Sequence, residues 1–129
     1  MFYKAEVWCL SEEELPSQLQ EQLARLQQMQ QTLQVVVSQK QQLELELSDT
    51  ERALQELNKL SDDAIVYKSI GSLLVKADRK ELIKELEERK ELLNLRISVL
   101  TKQEERARER VVELQQKIQE RLRSMPQPT

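Results

Sequence analysis

The side chains able to do acid–base or nucleophilic chemistry are few in this sequence and poorly matched to one another. There is no His, so the commonest general base and the commonest metal ligand are both missing. Cys9 is the single Cys, which leaves no intrachain disulfide and no second thiolate for a zinc site. Without a nearby imidazole to activate it, it reads as a free thiol rather than a nucleophile. One Gly, Gly71, cannot build a glycine-rich phosphate loop. The carboxylates are interleaved with Lys and Arg at helical spacing, which is the pattern of solvated i,i+4 pairs. Arg106, Arg108 and Arg110 make a short basic run that could touch RNA. Glu104, Glu105 and Glu113 flank it, and the net charge is −3, so a solvated helix face is the better reading. The sequence points to no enzyme, no cofactor, no metal and no nucleic-acid partner.

What such a chain is built to do must lie in its elements. Leu (22), Glu (19), Gln (17), Lys (10) and Arg (10) dominate its 129 residues, and aromatics are only 3%. That is the composition of long helices or coiled coils. With one Gly and three Pro there are few residues able to take turn geometries, so the elements between them are long. The longest apolar runs are four residues, Val7-Trp8-Cys9-Leu10 and Ala64-Ile65-Val66-Tyr67, with Val35-Val36-Val37 and Leu73-Leu74-Val75 at three. A membrane span needs about 20. The opening Met-Phe-Tyr-Lys-Ala-Glu lacks the basic and apolar regions of a signal peptide, which with the free Cys points to the cytoplasm.

Residues 1–15 form an extension of uncertain structure that carries Phe2, Tyr3 and Trp8. Two cues compete for the first helix start: a capping box at Ser11-Glu12-Glu13-Glu14, and Pro16 at the first helical position. Residues 16–60 read as one helix with a heptad stripe at Leu19, Gln22, Leu26, Met29, Leu33, Val36, Lys40, Leu43, Leu47, Thr50, Leu54 and Leu57. A second frame through Leu23, Gln30, Val37 and Glu44 scores lower. Residues 61–78 change character. Ile65, Val66, Tyr67, Ile70, Leu73, Leu74 and Val75 surround Gly71-Ser72, which fits a two-residue type II′ hairpin turn. Strands apolar on nearly every position are the kind buried on both faces. Residues 79–124 form a second helix capped by Asp78, with Glu81 three residues on. Its stripe runs through Ile83, Leu86, Lys90, Leu93, Ile97, Leu100, Glu104, Ala107, Val111, Leu114, Ile118, Arg121 and Met125. Pro126 and Pro128 end it, leaving 125–129 as a tail.

The helices are nearly equal in length, so they fold back on each other. The expected layers run from Leu57/Ile83 and Leu54/Leu86 beside the hairpin to Gln22/Ile118 and Leu19/Arg121 at the far end. Apolar pairs dominate near the hairpin and thin out beyond Lys40/Leu100, which predicts a looser far end. Lys40 and the Thr50/Lys90 layer read as register-setting polar residues. The fold class is mainly α: a long antiparallel two-helix coiled coil with a single β-hairpin between the helices. A lone hairpin is marginal and exposes both edges. The economical solution is for hairpins to join between subunits into a β-barrel. A hairpin folded back on its own coiled coil is the alternative, but it would cover only one face.

The run Tyr67-Lys68-Ser69-Ile70-Gly71-Ser72-Leu73-Leu74-Val75-Lys76, set between a Gln-rich helix and an equal second helix, resembles the beta-type subunit of archaeal prefoldin over about residues 16 to 123. The resemblance implies an ATP-independent chaperone subunit. It implies assembly with an alpha-type prefoldin subunit and with other beta-type copies, two alpha to four beta, through a hairpin barrel built on Ile65, Val66, Tyr67, Ile70, Gly71, Leu73, Leu74 and Val75. It also implies that the coiled-coil tips hold unfolded client proteins and pass them to a group II chaperonin. Leu15, Leu19, Leu23, Leu122 and Met125 are the tip residues expected to contact clients. Apart from the resemblance, two other readings stand: a coiled-coil scaffold without client activity, and an RNA-binding arm, which the negative charge disfavours.

Overall fold

The structure, a computed structural model, describes residues 16–125. Its elements are α1 (Ser17–Asn58), β1 (Val66–Ile70), β2 (Leu73–Ala77) and α2 (Arg79–Ser124). The extension 1–15, with its Ser11 cue, lies outside the described residues, as do 126–129 of the tail. At the start of α1 the Gln20 N–H donates to the Pro16 carbonyl at 3.1 Å. Pro16 is thus the cap and Ser17 the first helical residue, one position later than the proline rule suggests.

The heptad frame decides which helix faces are covered. All twelve stripe positions on α1, the twelve on α2 and Met125 just beyond it are buried or half-buried, whereas Leu23, Gln30 and Glu44 of the competing frame are exposed. The described residues form two compact units, 37–102 and 16–36 with 103–125.

In the first unit the core is Leu54, Leu57, Val66 and Leu93, with Thr50 the one polar residue buried among them. Thr50 is tolerated because its hydroxyl donates to the Glu46 carbonyl at 2.8 Å. Past Asn58 the chain tightens into a turn: the Lys59 and Leu60 N–H groups donate to the carbonyls of Glu56 and Leu57. The side chain of Ser61, and then the backbone of Asp63 itself, hold the Asp63 carboxyl below its usual pKa. α2 starts at a defined cap, where the Glu81 N–H donates to Asp78 Oδ2 at 3.2 Å and the Leu82 N–H to the Asp78 carbonyl at 2.9 Å. Such a cap contributes about 1 kcal/mol.

One residue joins the two ends of the connection. Arg79 Nε donates to the Leu57 carbonyl at 2.9 Å, and its Nη1 to Asp62 Oδ1 at 3.1 Å. The Arg79 side chain is only 11% exposed. Its Nε adds a second donor to the Leu57 carbonyl, which also accepts from the Leu60 N–H, at the end of α1 where helix carbonyls lack intrahelical partners.

In the second unit Leu19, Leu114 and Ile118 form a buried cluster, and Leu26, Met29, Leu122 and Met125 pack against it. The heptad layers leave Leu19 facing Arg121 at this end, yet the structure closes over it. Leu19 is 0% exposed. The reason is that apolar residues one step off the Leu19/Arg121 layer close over Leu19, while the Arg121 guanidinium turns to donate to Gln18 Oε1. Arg121 and Arg123 also place positive charge on the last turn of α2, where the helix dipole favours it.

Candidate functional site

β1 and β2 pair antiparallel, from Val66↔Ala77 to Ile70↔Leu73, so only Gly71 and Ser72 form the loop. Gly71 has φ +58, and no non-Gly residue among those described has positive φ. That combination fits a type II′ turn and excludes I′, which needs positive φ at both loop residues. A Cβ at Gly71 would meet open space, so backbone strain alone opposes a side chain there.

Alternation divides the hairpin into two faces. Val66, Lys68, Ile70, Leu73, Val75 and Ala77 share one, and Tyr67, Ser69, Leu74 and Lys76 the other. Only the root of the first face is covered. Val66 is buried, and Lys68 Nζ donates to Glu85 Oε1 of α2, pinning the strand to the helix. Every other large apolar side chain is bare: Leu74 is 74% exposed, Leu73 66%, Tyr67 60%, Ile70 54% and Val75 44%. Ile65, 66% exposed, precedes β1 rather than belonging to it. Within one chain, then, neither face is buried as the apolar strands led one to expect. The fold-back alternative accounts for Val66 and nothing beyond it. Exposed apolar surface this contiguous marks an interaction site, and its unpaired edges are templates for further strands.

At the far ends of the helices the expected tip residues divide. Leu19, Leu122 and Met125 are brought together in the distal cluster, Leu19 at its centre and the other two half-buried on it. Leu23, one turn along α1, is 39% exposed. Leu15 lies outside the described residues. Beside the cluster runs a polar groove lined by Gln18, Gln22, Lys117, Glu120, Arg121 and Ser124. Gln22 Oε1 is buried there with no hydrogen-bond partner among the described residues. A buried acceptor left unsatisfied costs about 1–3 kcal/mol. Opening the seam at Gln22 would return that oxygen to water.

The sequence reading missed Arg79. The available signal was its place: a cation on the first turn of a helix runs against the dipole, so another interaction must hold it there. Among the described residues no His/Cys/Asp/Glu group could hold a metal ion, and no helix is long and apolar enough to cross a membrane.

Comparison with known proteins matches residues 20–125 to the family model described as "Prefoldin subunit". The chain is 52% identical to the prefoldin subunit beta of Archaeoglobus fulgidus, over 82% of this chain and 91% of that one. It is 47% identical to that of Methanothrix thermoacetophila, over 88% and 94%. Among solved structures, the prefoldin beta subunit from Thermococcus strain KS-1 superposes with a TM-score of 0.78 at 42% identity, covering 87% of this chain and 98% of that one.

Proposed function

The chain belongs to the prefoldin subunit family, among its beta-type members, and on that premise we propose that it is an ATP-independent holdase subunit working in the cytoplasm. Membership makes it a chaperone subunit rather than an enzyme and implies assembly with other prefoldin subunits. The finer reading is that its hairpin joins those of other beta-type copies and of an alpha-type partner in a barrel. The distal ends hold non-native chains, which pass to a group II chaperonin. The observation that carries this reading is the hairpin. Large apolar side chains stand bare on both of its faces beside unpaired strand edges, which suits a segment completed by neighbours.

A second reading, a scaffold without client activity, draws on the burial of Leu19 by its own chain. The two separate in one experiment. The chain is combined with an alpha-type subunit, the mass of the product is measured, and the product is added without ATP to a chemically denatured protein as it is diluted. The expected result is a hexamer that suppresses aggregation at near-stoichiometric amounts. Changing Leu23, Leu122 and Met125 to Gln should weaken that suppression severalfold while the mass stays the same. A hexamer that leaves aggregation untouched would establish the scaffold.

A further inference from the structure

Two grooves of the distal unit lie on one flank of its seam. The outer one runs between Gln18 and Gln22 on α1 and Lys117, Glu120, Arg121 and Ser124 on α2. The inner one is a notch of about 230 Å³ lined by Gln28, Met29, Thr32, Ala107 and Arg110. They share a flank because Gln18 and Thr32 stand two heptads apart on α1, and Arg110, Lys117 and Ser124 follow one another by single heptads on α2. The notch has a cause in the sequence: Ala107 is the smallest residue of the α2 stripe, so its layer is underfilled. The Thr32 hydroxyl donates to the Gln28 carbonyl at 3.1 Å, and apolar atoms predominate on the notch walls.

One segment of the chain has the complementary features. Residues 1–15 join α1 at Pro16, where the outer groove begins, and carry Phe2, Tyr3, Val7, Trp8 and Leu10 ahead of Glu12, Glu13 and Glu14. The charges are opposite. Lys117, Arg121 and Arg123 outnumber Glu120 at the end of α2, and the first turn of α1 holds no acidic residue to meet its dipole. The lengths agree too. Gln18 to Gln22 lies about 3–9 Å along α1 from Pro16, and Met29 to Thr32 about 20–24 Å. An extended chain running back from Pro16 carries Glu14 to Glu12 about 7–13 Å away and Trp8 about 26 Å away.

We propose that residues 1–15 lie back along this flank of their own coiled coil, with Glu12 to Glu14 against Lys117 and Arg121 and the Trp8 ring in the notch at Ala107. Exposed Arg110 on the notch rim adds a cation–π contact to the indole. Arg121 has donors for both partners, since its bond to Gln18 uses Nη1 and a guanidinium carries five N–H groups. Docking of this kind goes beyond the chaperone reading and stands without it. It fills the flank from within the same chain, before any client or neighbouring copy arrives.

Cys9, the single Cys, follows Trp8 and makes a direct test possible. Thr32→Cys adds an exposed thiol at the notch. Gln30→Cys is the control, also exposed, slightly nearer to Pro16 and on the other flank of the seam. A disulfide needs Cα atoms within about 7 Å. In the assembly formed with the natural partner subunits, Thr32→Cys should give at least tenfold more intrachain disulfide to Cys9 on oxidation than Gln30→Cys. Equal yields would mean a free tether and overturn the proposal. A disulfide joining two chains would assign the groove to a second copy. A new thiol blocked only after a denatured protein is added would assign it to clients; either result overturns the proposal as well. A second measurement needs no new thiol, because Trp8 is the single Trp. Acrylamide should quench its fluorescence at least threefold less efficiently in the full chain than in a peptide of residues 1–15. Arg110→Glu with Lys117→Glu, both at exposed positions, should restore the peptide value while circular dichroism shows undiminished helix. A Trp8 as quenchable in the wild type as in the peptide, or one still shielded in the double variant, overturns the proposal.

Discussion

Charged residues at Ile70 and Leu74 will leave this chain as folded helical monomers. The two positions stand on opposite faces of the hairpin, since Ile70 pairs with Leu73 and Leu74 with Ser69. Both are more than half exposed in the single chain, so neither change disturbs its own core. Burying two such aliphatic side chains between subunits stabilises the joint by about 3–6 kcal/mol, or roughly 10²–10⁴-fold in association. A buried charge adds its own desolvation cost. Sedimentation should show the loss of the large species while circular dichroism shows undiminished helix. A double variant still assembled at low micromolar concentration would mean that the hairpins do not join the subunits. Gly71→Val tests the same surface without charge. With open space around Gly71, its cost is the backbone strain alone, about 1–3 kcal/mol and toward the upper end for a β-branched residue. The assembly should therefore weaken rather than vanish.

The second large effect is expected at Leu19. It is fully buried against Leu114 and Ile118, and its truncation to Ala should destabilise the distal unit by about 2–5 kcal/mol. Hydrogen exchange should then speed up at amides of 17–33 and 107–124 and stay unchanged around Leu54 and Leu93. Gln22→Leu should act in the opposite sense. It replaces the orphaned Oε1 with a methyl group in the seam, removing a penalty of about 1–3 kcal/mol. If clients are held by a cluster that must first open, Leu19→Ala raises capture per assembly and Gln22→Leu lowers it. Capture that falls in both variants would put the grip on the Leu19 side chain itself.

The stripes, the hairpin and its turn were legible because each is a strong periodic or local signal. Leu and Ile recur at steps of three and four, Gly71-Ser72 sits between two apolar runs, and Asp78 stands three residues before Glu81. The burial of Leu19 was not legible from layers. A layer pairs each residue with one partner, whereas Leu19 sits in a cluster with Ile118 and Met125, a turn to either side of its formal partner, and Leu122 next to that partner. Arg79 escaped for a related reason: its partners, the Leu57 carbonyl and Asp62, lie across the hairpin, and no local pattern announces a side chain reaching a backbone atom so far back along the chain.

The Arg79 contact also bears on the order in which the chain folds. It closes a loop of 22 residues, whereas the Gln18–Arg121 contact at the other end closes one of 103. If each closed from an unfolded chain, the longer would cost about 1.4 kcal/mol more in lost chain entropy. The helices therefore zip from the hairpin outward, each layer formed shortening the loop left for the next. During synthesis the first helix must wait, without its partner, until the end of the second has emerged. Folding kinetics should place Leu57 and Leu93 in the transition state with φ-values well above those of Leu19 and Ile118; the reverse order would mean that the distal cluster is the nucleus. The cluster of Leu19, Leu114 and Ile118 is then the last to be covered, and every newly made copy passes through a stage in which those side chains stand open to water.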